Sequence, residues 1–285
     1  MTVFDLHADT ATVMYDHRKL LTDPSLHLHA DGLSRFASYT QCFAVFTNNS
    51  DRAHGMEYFR EVRRYLLEQT AAVKNLHPVL TIEGGDVIGG DPGRLAELKD
   101  AGVKIFGLVW NGENELACGA YMNDRKGLTE KGKETAQELE RLRILPDVSH
   151  LSEAGFWDLA RGTEGPLTAT HSDARSVHPD LRNLTDEQIR LIRDRHGLIG
   201  LNFYPEFLAE GTATVDDLLR HADRILSLGG EDILALGSDF DGVDALPEGI
   251  RGVEDMATVA GRFREEYGTT LAEKILHGNA ERLLA

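Results

Sequence analysis

His7 and Asp9 stand two residues apart at the end of an apolar run, Val3 to Leu6. If that run is the first strand of a barrel, alternate side chains share a face. An imidazole and a carboxylate then point together into the barrel mouth, where they can share one hard or borderline metal ion. Residues of the same kinds recur farther along: Glu83 after Pro78–Ile82, His150 after Ile144–Ser149, His171 after Leu167–Thr170, and Asp239 after Ile233–Leu236. Three histidines, two aspartates and a glutamate offer nitrogen and oxygen without sulfur, a set that suits zinc, manganese or cobalt. Six such groups exceed the needs of one tetrahedral ion. Two ions about 3.5–4 Å apart could use five as ligands and leave one to move a proton. Such a pair acidifies bound water and polarises a carbonyl, so the chemistry expected is hydrolysis. Singly, each residue has an ordinary reading: a packed histidine at a strand end, or Asp239 capping a loop beside Asp241. The joint placement carries the argument.

The elements that must hold these residues alternate. Strands are predicted at Val3–Leu6, Tyr39–Phe46, Pro78–Ile82, Val103–Trp110, Ile144–Ser149, Leu167–Thr170, Gly197–Phe203 and Ile233–Leu236. Between them run amphipathic or charged helices: Met56–Val73, Arg94–Ala101, a helix from its cap Thr129 to Leu142, Ala154–Ala160 capped by Ser152, a helix capped by Thr185, and Val215–Leu228. Two helices close the chain between Val253 and Leu284. A polar loop is expected over Thr47–Ser50, and Gly84–Gly85 allow a sharp turn that keeps Glu83 accessible. Leu26–His29 alternates as a short strand would; His27 and His29 there mimic a metal pair, but nothing nearby completes a site. Eight strand–helix alternations predict an α/β fold, a (β/α)8 TIM barrel of the metal-dependent hydrolase type. Every candidate residue, with Tyr204 after the seventh strand, then falls on the C-terminal face, where such barrels build their sites.

The 285 residues, 41% of them hydrophobic, fit one such domain spanning 1–285. A formal net charge of -17 argues against nucleic acid or an anionic membrane as partner. Cys42 and Cys118 lack any metal-binding or disulfide spacing. Without a signal-peptide pattern or an apolar membrane-length run, the chain is expected to be cytoplasmic.

The segments Asp5-Leu6-His7-Ala8-Asp9, Glu83-Gly84-Gly85, Asp147-Val148-Ser149-His150-Leu151-Ser152, Thr170-His171-Ser172, Arg182-Asn183-Leu184-Thr185, Asn202-Phe203-Tyr204 and Gly237-Ser238-Asp239-Phe240-Asp241-Gly242 resemble, in this order, the motifs of the membrane (renal) dipeptidase family of metallopeptidases, within the amidohydrolase-like barrels. The resemblance implies one zinc held by His7, Asp9 and Glu83, and a second held by Glu83, His150 and His171, with Glu83 bridging. It implies that Asp239 handles the proton of the bridging water, as base in attack and as acid toward the leaving amine. Arg182 resembles the residue that grips the substrate's terminal carboxylate, with Tyr204 nearby. One departure stands out: mammalian members carry a substrate-contacting histidine at the end of the fourth strand, where this chain has Trp110 and Asn111. Asn111 could donate a hydrogen bond to the substrate carbonyl in its place.

The function expected is therefore a binuclear zinc dipeptidase acting on dipeptides with a free C-terminal carboxylate, L-D dipeptides among them. The alternatives are an amidohydrolase acting on another amide, an imide or a lactone, and a metal-binding barrel without turnover. Similar proteins pair as homodimers, and the same is the expectation here.

Overall fold

The computed structural model describes residues 1–48 and 54–284, so the polar loop expected over Thr47–Ser50 lies partly outside the described residues. Eight parallel strands close into a barrel in chain order: β1 (Thr2–Ala8), β2 (Ser38–Phe46), β3 (Leu76–Glu83), β4 (Val103–Gly107), β5 (Leu145–Asp147), β6 (Thr168–Ala169), β7 (Leu198–Leu201) and β8 (Leu234–Leu236). The seam is the pairing of Asp5 with Leu236. This is the (β/α)8 fold that the alternation of elements predicts.

Two hydrophobic layers hold it. Between strands and outer helices, each amphipathic helix buries one stripe; Gly55–Thr70 turns Met56, Phe59, Val62 and Leu66 inward. Thr129, Ser152 and Thr185 cap their helices as expected, their hydroxyls accepting from Gly132, Gly155 and Gln188 backbone N–H groups. Inside the barrel, Phe4, Leu6, Cys42, Ile105, Leu198 and Ala235 form a cluster that Ala280 and Leu284 of the last helix close. Strands on opposite sides touch only across the barrel axis, so this cluster is the barrel's own floor.

β4 and β7 stop at Gly107 and Leu201, short of the expected Trp110 and Phe203, and two further details depart from the sequence expectations. β5 and β6 are shorter than Ile144–Ser149 and Leu167–Thr170, because above them a side chain replaces the ladder: Asp147 Oδ1 accepts from the Ser149 and Thr170 backbone N–H groups, both at 3.0 Å. Leu26–His29 is not a strand. Leu26 and Leu28 are buried, His29 accepts from Gly32 N–H to cap a short helix, and His27 Nδ1 accepts from Asp241 N–H. The two closing helices form as expected: Met256–Glu273, broken where Gly268 adopts φ 72°, and Asn279–Leu284, joined by a wide turn at Lys274–Gly278.

Candidate metal centre and active site

The first strand aims His7 by an irregularity. Leu6 reaches the barrel floor and His7 the barrel mouth, which strict alternation forbids for neighbours. The register against β2 slips between them: Asp5 pairs with Gln41 and Ala8 with Phe43, so three steps on β1 face two on β2. The extra residue turns His7 inward, as bulges re-aim side chains. Asp9 follows at the start of the next helix, its N–H bound to Phe240 O at 2.9 Å.

Glu83 is the last residue of β3. Gly84 behind it has φ 92°, and a Cβ there would sit 1.9 Å from Thr47 O, so only glycine makes this turn. His150 and Asp239 themselves have φ of 68° and 61°. Such left-handed backbone in residues other than glycine concentrates at functional sites. At the level below Asp239, a Cβ on Gly237 would stand 1.8 Å from Thr170 O, which draws β6 and β8 close enough to bring His171 toward His7.

All six residues that the sequence nominates for ions and proton transfer converge. His150 Nε2 lies 2.8 Å from Glu83 Oε1 and 2.9 Å from His171 Nε2, and His171 Nε2 is 3.8 Å from the same Glu83 oxygen. On the other side of Glu83, His7 Nε2 stands 3.6 Å from Oε2, 3.4 Å from Asp9 Oδ2 and 3.9 Å from Asp239 Oδ1. Glu83, His150 and His171 form one ligand-like group and His7, Asp9 and Asp239 another. All six are buried. The surroundings fit divalent ions: His7 Nε2 is buried and finds no hydrogen bond among the described residues, although three carboxylates surround it. Donors spaced in this way around one centre are what a cation satisfies.

Electrostatics agree. Burial, with the Asp9 charge adding to it, pushes the Glu83 carboxyl up to about 8. Burial alone would lower His7, yet Glu83 and Asp9 hold it well above its usual value. His150 and His171 are driven well down, first by burial and then by neighbouring positive charge. Burial also raises Asp239. Without ions the cluster therefore keeps protons that an unfolded chain would release. Glu83 rises from an ordinary 4.5 and His7 from 6.5, so both favour the fold at low pH and lose that contribution as pH rises. The lowered His150 and His171 act in the opposite sense, but below their ordinary 6.5. The clear window is thus between 6.5 and 8. Across it, ion-free protein is expected to lose about 2 kcal/mol from Glu83 alone, at 1.36 kcal/mol per pH unit. Urea unfolding of chelator-treated and zinc-loaded protein at both ends of the window checks this; the loaded protein should not show the loss.

A cavity of about 410 Å³ opens over the cluster, with Glu83, His150 and Asp239 on its floor and Trp110, Tyr204 and Phe207 on its walls. Trp110 meets Phe46 edge-on at 5.1 Å. Tyr204 packs on Phe207 at 5.0 Å, and burial together with Asp244 and Glu206 pushes its hydroxyl up to about 12. Arg182 is 4% exposed and lies over the Phe207 ring. Its guanidinium donates long bonds, both 3.4 Å, to Ser172 Oγ and the His171 carbonyl, while its Nε has no partner among the described residues. Among the described residues it has no carboxylate in ion-pair range. Asn111 lines the cavity with its Oδ1 2.8 Å from His150 Nδ1, so any donation to a substrate carbonyl falls to its Nδ2 group.

Several residues that sequence reasoning passes over support the cluster. Asp5 accepts from Ser238 N–H at 2.9 Å and from the Ser238 hydroxyl, tying β1 to the Asp239 loop. Asn202 Nδ2 donates to Asp239 Oδ2 at 3.0 Å. Thr170 and Asp147 join beneath the histidines. Each stands in one of the motif segments quoted above, within three residues of a nominated residue, and the sequence gives it no role of its own.

A closed parallel barrel with a buried imidazole–carboxylate cluster at its C-terminal mouth defines a metal-dependent barrel hydrolase. Residues 66–285 match the membrane dipeptidase family, peptidase family M19, and the chain belongs to that family of metallo-dipeptidases. It is 36% identical over 230 residues, 76% of this chain and 84% of the relative, to an uncharacterized protein of Klebsiella pneumoniae encoded in the pqqA 5' region. Among solved structures, it resembles a dipeptidase of family M19 at 28% identity and a TM-score of 0.91, covering 100% of this chain and 98% of the other. A metallopeptidase from Rhodobacter sphaeroides, solved with a phosphinate mimic of the dipeptide L-Ala-D-Ala, matches at 28% identity and 0.90 with the same coverage. No helix among the described residues is long and apolar enough to cross a membrane.

Proposed function

We propose that the chain is a binuclear zinc dipeptidase for dipeptides with a free C-terminal carboxylate, including those ending in a D-residue. The observation that carries this is Glu83: its two carboxylate oxygens face two separate sets of buried donors, His150 with His171 and His7 with Asp9. A carboxylate so placed suits a bridge between two ions. His7, Asp9 and Glu83 would hold one, and Glu83, His150 and His171 the other. When bound, the ions supply Lewis-acid polarisation of the scissile carbonyl and acidify the attacking water.

Asp239 takes up the proton that the water loses and returns it to the leaving amine. Its raised pKa suits the acid half of that role, and Asn202 holds its second oxygen still. Arg182 receives the substrate carboxylate. Its unpartnered Nε and two weak bonds leave a buried cation that an anion would satisfy better. The cavity of about 410 Å³ over the cluster offers room for a dipeptide. The dipeptide mimic bound by the Rhodobacter sphaeroides neighbour supports a D-residue at the C-terminal position.

Chelation is expected to abolish amine release from L-Ala-D-Ala, and added zinc to restore it. Full turnover by protein shown to be free of metal would overturn the proposal.

A further inference from the structure

Asp147 and Thr170 lie in the motifs around His150 and His171, yet the reaction above gives neither a task. Both are buried, and Asp147, His7 and His171 draw together closely enough to look like a third ligand group. A side chain already sits between them. Thr170 Oγ1 donates to Asp147 Oδ2 and stands 2.8 Å from His171 Nδ1 and 3.3 Å from His7 Nδ1. A hydroxyl has one proton and two lone pairs. Asp147 accepts that proton, while its other oxygen accepts the Ser149 and Thr170 backbone N–H groups and so fixes the carboxylate in place. The two lone pairs are what remain for the two rings, so both rings must donate.

We infer that Thr170, oriented by Asp147, is a positioning residue that locks His7 and His171 in the tautomer with the proton on Nδ1, leaving both Nε2 lone pairs for ions. The inference rests on reading these histidines as ligands. It goes further in making one hydroxyl serve both ion sites, since His7 belongs to one group and His171 to the other. His150 is fixed separately: its Nδ1 meets the Asn111 amide oxygen at 2.8 Å, an acceptor, and its Nε2 is freed in the same way. With protons on all three Nδ1 atoms, the 2.9 Å approach of His150 and His171 Nε2 has no ring proton to share, a close contact that a cation relieves.

The test is zinc titration of ion-free wild type, Thr170→Val, Thr170→Ser and Asn111→Leu, with thermal unfolding to confirm that each folds. Hydrogen-bond partners of metal-bound histidines are typically worth about 10–100-fold in metal affinity. Thr170→Val is expected to lose that much at both sites, Thr170→Ser to regain most of it, and Asn111→Leu to weaken one site alone. A folded Thr170→Val that binds both ions as wild type does overturns the inference and leaves the metal centre standing. Wild type that binds no ion overturns the metal centre, and this inference with it. If Thr170→Val does not fold, nitrogen-15 histidine spectra of zinc-loaded wild type answer the same question: protons on Nδ1 of both His7 and His171 support the lock, and a proton on Nε2 of either overturns it.

Discussion

Asp239→Asn is expected to keep both ions and to lower kcat on L-Ala-D-Ala by about 10²–10⁴-fold, the usual worth of a positioned acid–base group. The amide keeps the shape and can still meet Asn202, but it cannot take a proton from water. KM should change little, because Asp239 faces the reacting atoms and Arg182 is the group assigned to the substrate's carboxylate. Metal content measured beside kcat makes the result specific. Asp239 Oδ1 lies 3.9 Å from His7 Nε2, in the same ligand-like group as Asp9. If it served as a ligand, the variant would lose zinc together with activity, and the proton role would have to be reassigned.

Arg182→Met is expected to lower kcat/KM for free dipeptides by about 10²–10³-fold, within the cost of removing one partner from a buried, hydrogen-bonded charge pair. Methionine keeps the bulk against Phe207 and removes the charge. C-terminal amides of the same dipeptides offer no carboxylate, so their slow rates, if measurable, should hardly move. An equal loss on acids and amides would mean that Arg182 supports the site and does not grip the substrate. The structure gives it a poor set of internal partners for a cation so deeply buried, and burial alone lowers its pKa. Such a group is costly unless a bound anion balances it.

Much of this was legible in the sequence, because the barrel repeats one rule. Five of the eight apolar runs lead to a residue able to bind metal or move a proton, and caps such as Thr129, Ser152 and Thr185 mark where their own helices begin. What stayed hidden depends on distance in space. The slip in β1 that lets Leu6 and His7 both face inward arises from pairing with β2, which no local pattern encodes. β6 shrinks to Thr168–Ala169 because Asp147, from another strand, takes over the next backbone N–H group. Arg182 sits in a polar stretch that reads as a surface cation; its burial follows from Phe207 and the His171 strand end folding over it. Leu26–His29 alternates like a strand but is anchored by Asp241, far along the chain, whose carboxylate accepts the His27 N–H.

The central claim is that the buried cluster and Arg182 together make a peptidase for dipeptides with a free carboxylate. The direct measurement is amine release by zinc-loaded protein from L,L- and L,D-dipeptides and from their C-terminal amides. Cleavage of the free acids, with the amides slower by about 10²-fold or more in kcat/KM, is the result expected from a buried guanidinium that must be paired. Acids and amides cleaved alike, or neither cleaved by protein holding its full complement of zinc, would contradict it.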